Sequence, residues 1–132
     1  MKPTTISPIA TAHAMAVLPA EDLARARHFY HDTLGFDIQD MPEEHQFLIV
    51  AGDDTRVLVY ERARTVAEHT AAAFTVADLH AVVQDLRSRG VQFEEYDLPG
   101  LKTVDGIAEG AWGQSAWFID PEGNIISLSH AK

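Results

Sequence analysis

Two stretches of the chain follow the same strand-to-helix pattern, and this repetition limits the possible folds more than any other feature of the sequence. In residues 69–90, an alternating apolar run leads to an aspartate, and apolar residues then recur at helical spacing up to a glycine. Residues 13–35 repeat this order, with the same interval between the initial histidine and the aspartate. The helix-opening aspartates are Asp22 and Asp78, and the closing glycines are Gly35 and Gly90. The sequence therefore predicts a chain made of two similar halves.

The segments after each helix complete the same pattern, so each half is predicted to have the order strand, helix, strand, strand, strand. The predicted strands are 12–18, 36–38, 46–50 and 56–60 in the first half, and one ending at Val76, then 91–96, 115–119 and 125–129, in the second. Before the last strand, residues 120–123 (Asp-Pro-Glu-Gly) have the composition of a type I turn. We also expect a short arm at residues 1–11 and a long irregular loop, interpreted as a flap, at residues 97–113.

Composition argues against several classes of function. The formal net charge of −10 produces a field that repels nucleic-acid phosphates and anionic lipid surfaces, so we expect neither a nucleic-acid partner nor a membrane partner. The absence of cysteine excludes disulfides, thiolate metal sites and thiol nucleophiles. The sequence shows no signal-peptide pattern and no apolar run of about 18 residues, so we expect a cytoplasmic protein.

Two motifs resemble those of a known family. The first is Asp-Leu-Ala-Arg-Ala-Arg-His-Phe-Tyr at residues 22–30, followed by Leu-Gly-Phe at 34–36, and the second is Ala-Trp-Phe-Ile-Asp-Pro-Glu-Gly-Asn at 116–124. In this order and with the repeated halves, they resemble the vicinal oxygen chelate superfamily, which includes glyoxalase I, bleomycin-resistance proteins and extradiol dioxygenases. The resemblance implies an α+β fold in which two βαβββ modules form curved mixed sheets around a central cavity, with the helices on the outer face.

The same resemblance bears on domain organisation and assembly. The length and the hydrophobic content of 46% allow a single compact domain over residues 1–132. We expect its two modules at residues 12–62 and 69–132. The resemblance also implies a homodimer, which would cover exposed sheet edges.

Enzymes of this superfamily hold a divalent metal on the concave sheet, and the resemblance assigns four positions to its ligands. On the first strands these positions lie seven residues before the helix-opening aspartate. On the last strand of the second half the position lies three residues after Asn124 of the turn. Aligning Gly52 with Asp120 gives the matching position in the first half. The residues at the four positions are Met15, Val59, Ala71 and Ser127. None provides the imidazole or carboxylate that such a metal prefers, so we expect no cofactor.

A shifted metal site is the main alternative. Because strand side chains alternate with a period of two residues, His13, Glu61 and His69 have the same parity as three of those positions. If the first and last strands of a module are parallel, however, the rise along them separates His13 from Glu61 by roughly 13 Å. A divalent metal ion bound there would make the protein a metal-dependent lyase, isomerase or dioxygenase.

A third hypothesis is acid–base catalysis without a metal, carried by His45 or Glu95. Glu94, Glu95 and Asp97 crowd negative charge, which can raise the pKa of one carboxylate toward that of a general base. A solvated strand end with Lys102 nearby explains the same residues. His45 is a candidate proton donor, although a lone histidine at a strand entry is more often exposed and idle.

We interpret the sequence as that of a small-molecule-binding protein. Side chains of a strand point alternately to its two faces. If Ser127 faces the cavity, we expect Ile126 and Leu128, and the corresponding Leu58 and Tyr60 of the first half, to contact the helices. Other aromatic side chains, such as those of Trp112 and Phe118, then remain free to bind a flat ligand. The expected function is binding of a small organic molecule, aromatic or drug-like, in an apolar cavity without a catalytic metal. The resemblance implies sequestration of the bleomycin-resistance kind. The residues expected in the pocket are His13, Met15, His45, Phe47, Val59, Glu61, His69, Trp112, Phe118 and Ser127.

Overall fold

A computed structural model of the chain describes residues 7–64 and 66–131. In the first half, the elements are β1 (Ala16–Ala20), α1 (Leu23–Arg27), a π-helical turn (His28–Thr33), β2 (Asp37–Asp40), β3 (Gln46–Val50) and β4 (Arg56–Glu61). In the second half they are β5 (Thr70–Thr75), α2 (Leu79–Ser88), β6 (Asp97–Leu98), β7 (Leu101–Val104), β8 (Ile107–Gly110), β9 (Gly113–Ile119) and β10 (Ile125–Ala131).

Within the described residues, these strands form two mixed sheets. The strand order is β1-β4-β3-β2 in the first sheet and β5-β10-β9-β8-β7-β6 in the second. The first and last strands of each half are parallel neighbours, and the other pairs are antiparallel. The predicted α+β class with two βαβββ modules is therefore confirmed.

Both helices begin at the predicted aspartates. The side chain of Asp22 or Asp78 accepts a hydrogen bond from the backbone N–H three residues later, at 3.0 Å and 3.1 Å respectively. After each helix a glycine has a positive φ, 87° at Gly35 and 93° at Gly90, which a residue with a Cβ adopts only with strain. The repeated sequence pattern has thus formed the same structure twice.

The first helix contains one more residue than the second. The interval from Asp22 to Gly35 is one residue longer than the interval from Asp78 to Gly90. The π-helical turn His28–Thr33 accommodates this extra residue, because a wider helical turn lets both helices end at equivalent glycines.

The core lies between the sheets and the helices. Buried residues of both sheets form one cluster with Ala26 and Tyr30 of the first helical segment and with buried residues of α2. Ile126 and Leu128 belong to this cluster, as predicted. The prediction was wrong for Leu58 and Tyr60, which are half-buried and lie on the opposite face of the first sheet.

The start of the chain differs from its predicted form. The first strand begins at Ala16, and Pro19 lies inside it, which β1 tolerates because it is the edge of its sheet. Part of the predicted arm, residues 1–6, lies outside the described residues. Pro8–Thr11 form an exposed 3-10 turn.

The segment after α2 also differs from prediction. The predicted strand 91–96 is reduced to a single bridge between Phe93 and Phe118, because most of the free edge of β9 already pairs with β8. Residues 97–113, predicted as an irregular loop, contain β6, β7 and β8. The signal for a hairpin was present, since Asp105-Gly106 occupies the turn between β7 and β8 with φ values of 52° and 81°.

The turn before β10 joins the second half to the first helix. The Glu122 carboxylate is 1% exposed and accepts hydrogen bonds from the backbone N–H groups of Glu21 (2.9 Å) and Asp22 (3.0 Å) and from Arg25 Nε (2.6 Å). Burial alone would raise the pKa of this carboxyl group. The hydrogen bonds from Arg25 and the backbone outweigh burial and hold the pKa below its ordinary value.

Asp120 and Asn124 strengthen the same junction. The Tyr30 hydroxyl donates a hydrogen bond to the Asp120 carboxylate at 2.5 Å, and Asn124 Nδ2 donates to the carbonyl oxygen of Pro19 at 3.0 Å. Burial, and then the charge of Asp120, raises the pKa of Tyr30 well above its ordinary value. We call Asp120, Glu122 and Asn124 the turn clamp.

No helix within residues 7–64 and 66–131 is long and apolar enough to span a membrane.

Candidate functional site

The face of the first sheet that points away from the helices is apolar and accessible. Val17 and Leu48 are both cross-strand partners of Leu58, and all three alternate along their strands with core residues. Val17 is 48% exposed, and the two leucines are half-buried. We call the surface formed by Val17, Gln46, Leu48, Leu58 and Tyr60 the first open face.

The corresponding face of the second sheet carries hydroxyl and aromatic groups. Across β9 and β10, Ser127 pairs with Trp117 and Ser129 pairs with Ser115. The Trp117 ring packs edge-on against Tyr96, with 5.5 Å between ring centroids. Ser115 and Ser127 are only 9% and 7% exposed, so this surface is recessed. We call the surface formed by Tyr96, Ser115, Trp117, Ser127 and Ser129 the second open face.

Trp112 extends the second open face from the turn between β8 and β9. A Cβ atom placed on Gly110 would lie 2.4 Å from Trp112 Nε1, so the indole ring lies directly against this glycine. Gly110 lies two residues after Ala108 and therefore on the same face of β8. Ala108 pairs with Ser115, so this is the side of the sheet that carries the second open face. Because Trp112 is 54% exposed, its ring remains accessible to a ligand.

The strand register corrects one of the four predicted metal-ligand positions. In the first half Leu18 pairs with Val59, and its counterpart Phe74 pairs with Leu128 in the second half. Val59 therefore corresponds to Leu128, and the residue before Val59 corresponds to Ser127. The alignment from the turns was one residue out of register, which moves a side chain to the other face of its strand.

The residues at the superfamily's metal-ligand positions do not fit a divalent metal. With the corrected register they are Met15, Leu58, Ala71 and Ser127. A thioether, two hydrocarbon side chains and a hydroxyl group lack the imidazole and carboxylate donors that Mn²⁺, Fe²⁺ or Zn²⁺ sites use. Among the residues that the structure describes, no group of three His, Asp or Glu side chains is arranged to hold a metal ion.

The shifted set of His13, Glu61 and His69 is not brought together within the chain. His69 lines a small pocket beside Pro19, near the end of β1, and Glu61 pairs with Ala20 at that same end. His13 instead precedes the start of β1. The strand therefore separates His13 from the other two residues.

His45 interacts with Glu61. Its Nδ1 atom lies 3.1 Å from the Glu61 carboxylate, and the two side chains are 68% and 50% exposed. Glu61 follows Tyr60 at the end of β4 and has the parity of the core residue Val59. The His45–Glu61 pair consequently lies outside both open faces.

Three other residues expected in the pocket belong to the core. Phe47, Val59 and Phe118 are 1%, 1% and 0% exposed and cluster with the buried helix residues. The register explains this correction, because Trp117 rather than Phe118 lies opposite Ser127. Of the expected pocket residues, the second open face includes Ser127 and is extended by Trp112, whereas Met15 lines a crevice between the two halves.

The predicted acidic cluster lies at the edge of the second open face. Asp97 pairs with Lys102 across the β6–β7 hairpin, which places a cation near these carboxylates. Burial, and then the charge of Glu94, raises the pKa of Tyr96. The charge of this cluster therefore influences the pKa of Tyr96, which belongs to the second open face.

None of the five residues of the first open face was predicted from the sequence to line the pocket. Val17, Leu48 and Leu58 alternate with buried neighbours, and this alternation is visible in the sequence. Alternation divides the residues of each strand between its two faces, but it does not show which face packs against the helices. The pairing of β1 with β4 determines that.

Comparisons with known proteins agree with this geometry. Residues 11–128 match the model of the Glyoxalase/Bleomycin resistance protein/Dioxygenase superfamily. The match covers most of the chain, and the protein belongs to this superfamily. No curated protein sequence matches the chain.

Several solved structures are similar over nearly the whole chain. TnmS3, an antibiotic binding protein from Streptomyces sp. CB03234, is 27% identical with a TM-score of 0.69, and the match covers 93% of this chain and 98% of that one. A bleomycin-binding protein complexed with bleomycin is 22% identical with a TM-score of 0.69, covering 92% and 100%. The fosfomycin resistance protein FosX from Listeria monocytogenes is 13% identical with a TM-score of 0.68, covering 92% of each chain. The last two likenesses show the fold alone.

Proposed function

We propose that this protein binds a small organic molecule, aromatic or drug-like, on the open faces of its sheets without a catalytic metal. One observation carries the proposal: the superfamily's metal-ligand positions hold Met15, Leu58, Ala71 and Ser127. The surfaces around Leu58 and Ser127 are apolar, aromatic and hydroxyl-bearing, which suits an organic ligand better than a hard cation.

Each open face offers a different kind of contact to such a ligand. Val17 and Leu58 supply aliphatic surface, whereas Trp112 and Trp117 supply ring faces on which a planar molecule can stack. The hydroxyl group of Ser127 can donate and accept hydrogen bonds at the ligand's polar edge. The net charge of −10 favours a neutral or cationic molecule.

The similar structures support a resistance role based on sequestration. TnmS3 is described as an antibiotic binding protein, and the bleomycin-binding protein holds bleomycin itself. We infer that this protein likewise protects by tight binding, which keeps a toxic molecule away from its target without altering it chemically.

A thermal-shift screen against bleomycin and neutral or cationic aromatic natural products tests the proposal. A ligand at about 100 times its dissociation constant adds about 2.7 kcal/mol to the free energy of unfolding. Trp117→Ala is expected to weaken binding at least ten-fold, because it removes the central ring of the second open face. Val104→Ala is the matched control, since Val104 is an exposed apolar residue on the other face of β7. Equal loss in both variants, or no stabilising compound in the screen, would count against the proposal.

Elemental analysis distinguishes binding from metal-dependent catalysis. Protein purified without chelator is expected to contain no stoichiometric divalent metal, and its ligand affinity should be unchanged by a chelator. Stoichiometric metal that is lost in His13→Ala and His69→Ala would instead support a metal-dependent lyase, isomerase or dioxygenase. Turnover that persists with chelator and is lost in His45→Ala would support acid–base catalysis.

We also infer a homodimer, because the free edge of strand β1 favours self-association by strand pairing, which leaves both open faces to the ligand. Val17 lies on edge strand β1 and is 48% exposed. Val17→Glu is expected to shift the protein toward monomer in sedimentation velocity, whereas Val104→Glu, at a residue 66% exposed, should not. A wild-type monomer at micromolar concentration would refute the dimer.

A further inference from the structure

A crevice of about 620 Å³ lies between the two halves, where β1 begins and β5 ends. Its apolar lining includes Met15, Phe36, Phe74, Val82 and Leu86. The rings of Phe36 and Phe74 pack with 5.0 Å between centroids and 31° between planes. This volume falls within the range of small-molecule sites, and the aromatic pair gives it a surface for stacking.

The internal repeat explains why this crevice is open. The turn at residues 51–55 is equivalent to the turn at residues 120–124, because in each turn the first N–H donates to the carbonyl oxygen of the fifth residue at 2.9 Å. The turn-clamp positions Asp120, Glu122 and Asn124 are therefore occupied in the first half by Ala51, Asp53 and Thr55.

The helix side of the clamp is absent as well. Arg25, whose guanidinium donates to Glu122, lies three residues after Asp22. The equivalent position after Asp78 is Ala81. At one junction, long polar side chains fill the space between turn and helix. At the other, Ala51 and Leu86, which both line the crevice, occupy the positions that correspond to Asp120 and Tyr30, and the crevice remains.

The charges on the rim favour a cation. Arg56 lies 3.5 Å from Asp54, and Asp85 lies 2.9 Å from Arg89, so these four charges compensate one another. Asp53 also lines the crevice and forms no ion pair within residues 7–64 and 66–131. The rim thus carries one uncompensated carboxylate beside an apolar, aromatic surface.

We propose that this crevice is a second binding site, separate from the open faces, for a planar apolar ring compound that carries a basic amine. The ring contacts Phe74 and Val82, and the ammonium group faces Asp53. The inference is separable from the proposed function, because no residue of either open face lines the crevice, and Met15 is the one residue that both arguments name.

Two naphthalene derivatives of opposite charge test the site. We would titrate 1-naphthylmethylamine, a cation at neutral pH, and 1-naphthylacetate, an anion, into protein labelled at the methionine methyl groups. The Met15 methyl resonance reports on the crevice, and Met41 serves as an internal reference. A saturable Met15 shift is expected with the cation, at an affinity about five-fold higher than with the anion, as expected for one charge pair near the surface. Asp53→Asn should remove this difference.

Variants that fill the crevice locate the binding. Val82→Trp is expected to weaken the cation's effect on Met15 at least ten-fold, and Ala51→Leu provides a smaller filling substitution should Val82→Trp reduce folding. Val104→Trp, the same exchange at an exposed site elsewhere, should leave binding unchanged. Trp117→Ala should also leave it unchanged, which separates this crevice from the open faces. Equal affinity for both probes, no saturable Met15 shift, or full binding in both filling variants would overturn the proposal.

Discussion

Glu122→Gln is the substitution whose effect the structure determines most directly. The carboxylate is buried and receives hydrogen bonds from two backbone N–H groups at the start of α1 and from Arg25. Glutamine has nearly the same shape, so the substitution leaves little cavity. One amide oxygen still accepts from the backbone, but the amide NH₂ then faces the Arg25 guanidinium, and a donor meets a donor.

The expected magnitude follows from the charged hydrogen bonds that are lost. A hydrogen bond to a charged group contributes about 1.5–3 kcal/mol, and two such interactions are weakened here, so we expect a loss of about 3 kcal/mol. At roughly 4 °C per kcal/mol for a chain of this size, Tm should fall by about 12 °C. Glu43→Gln is the matched control at an exposed position and should change Tm by no more than about 2 °C.

The pH dependence gives a second, independent check. The pKa of Glu122 is lower in the folded chain than in the unfolded chain, so its contribution is fully present above the unfolded value of about 4.3. It is lost as the pH falls through the lower folded pKa. Urea unfolding at pH 7 and at pH 3 should therefore show a gap between wild type and Glu122→Gln that narrows at pH 3. A gap under about 1 kcal/mol at pH 7, or one that does not narrow in acid, would refute this account of the junction.

Three further outcomes are expected. Tyr30→Phe removes the hydrogen bond to Asp120 and should cost about 1.5 kcal/mol in urea unfolding, whereas an unchanged midpoint would mean that the bond contributes nothing net. Gly110→Ala should displace the Trp112 indole and redshift tryptophan emission, while Gly52→Ala, where a Cβ meets nothing within 4 Å, should not; identical spectra would contradict the position of Trp112. Glu94→Gln should lower the pKa of Tyr96 in an absorbance titration, since the charge of Glu94 contributes to raising it, and an unshifted titration would exclude that contribution.

Local sequence signals determined the elements of this protein. Asp22 and Asp78 cap their helices and Gly35 and Gly90 end them, because capping and left-handed geometry depend on a few neighbouring residues. The chemistry of Met15, Ala71 and Ser127 was also readable directly, since the lack of imidazole and carboxylate donors does not depend on folding. The Asp105-Gly106 turn between β7 and β8 depends on the same kind of local signal.

Tertiary structure decided which residues share a surface. Alternation along β4 divides its residues into two sets, but whether Leu58 or Val59 faces the helices depends on pairing with β1, about forty residues earlier in the chain. The crevice likewise depends on the turn at residues 51–55 meeting α2, and neither segment reveals this alone. The physical reason is the same in both cases. A sequence pattern shows which residues of a segment share a face, but contacts with distant segments determine what that face meets.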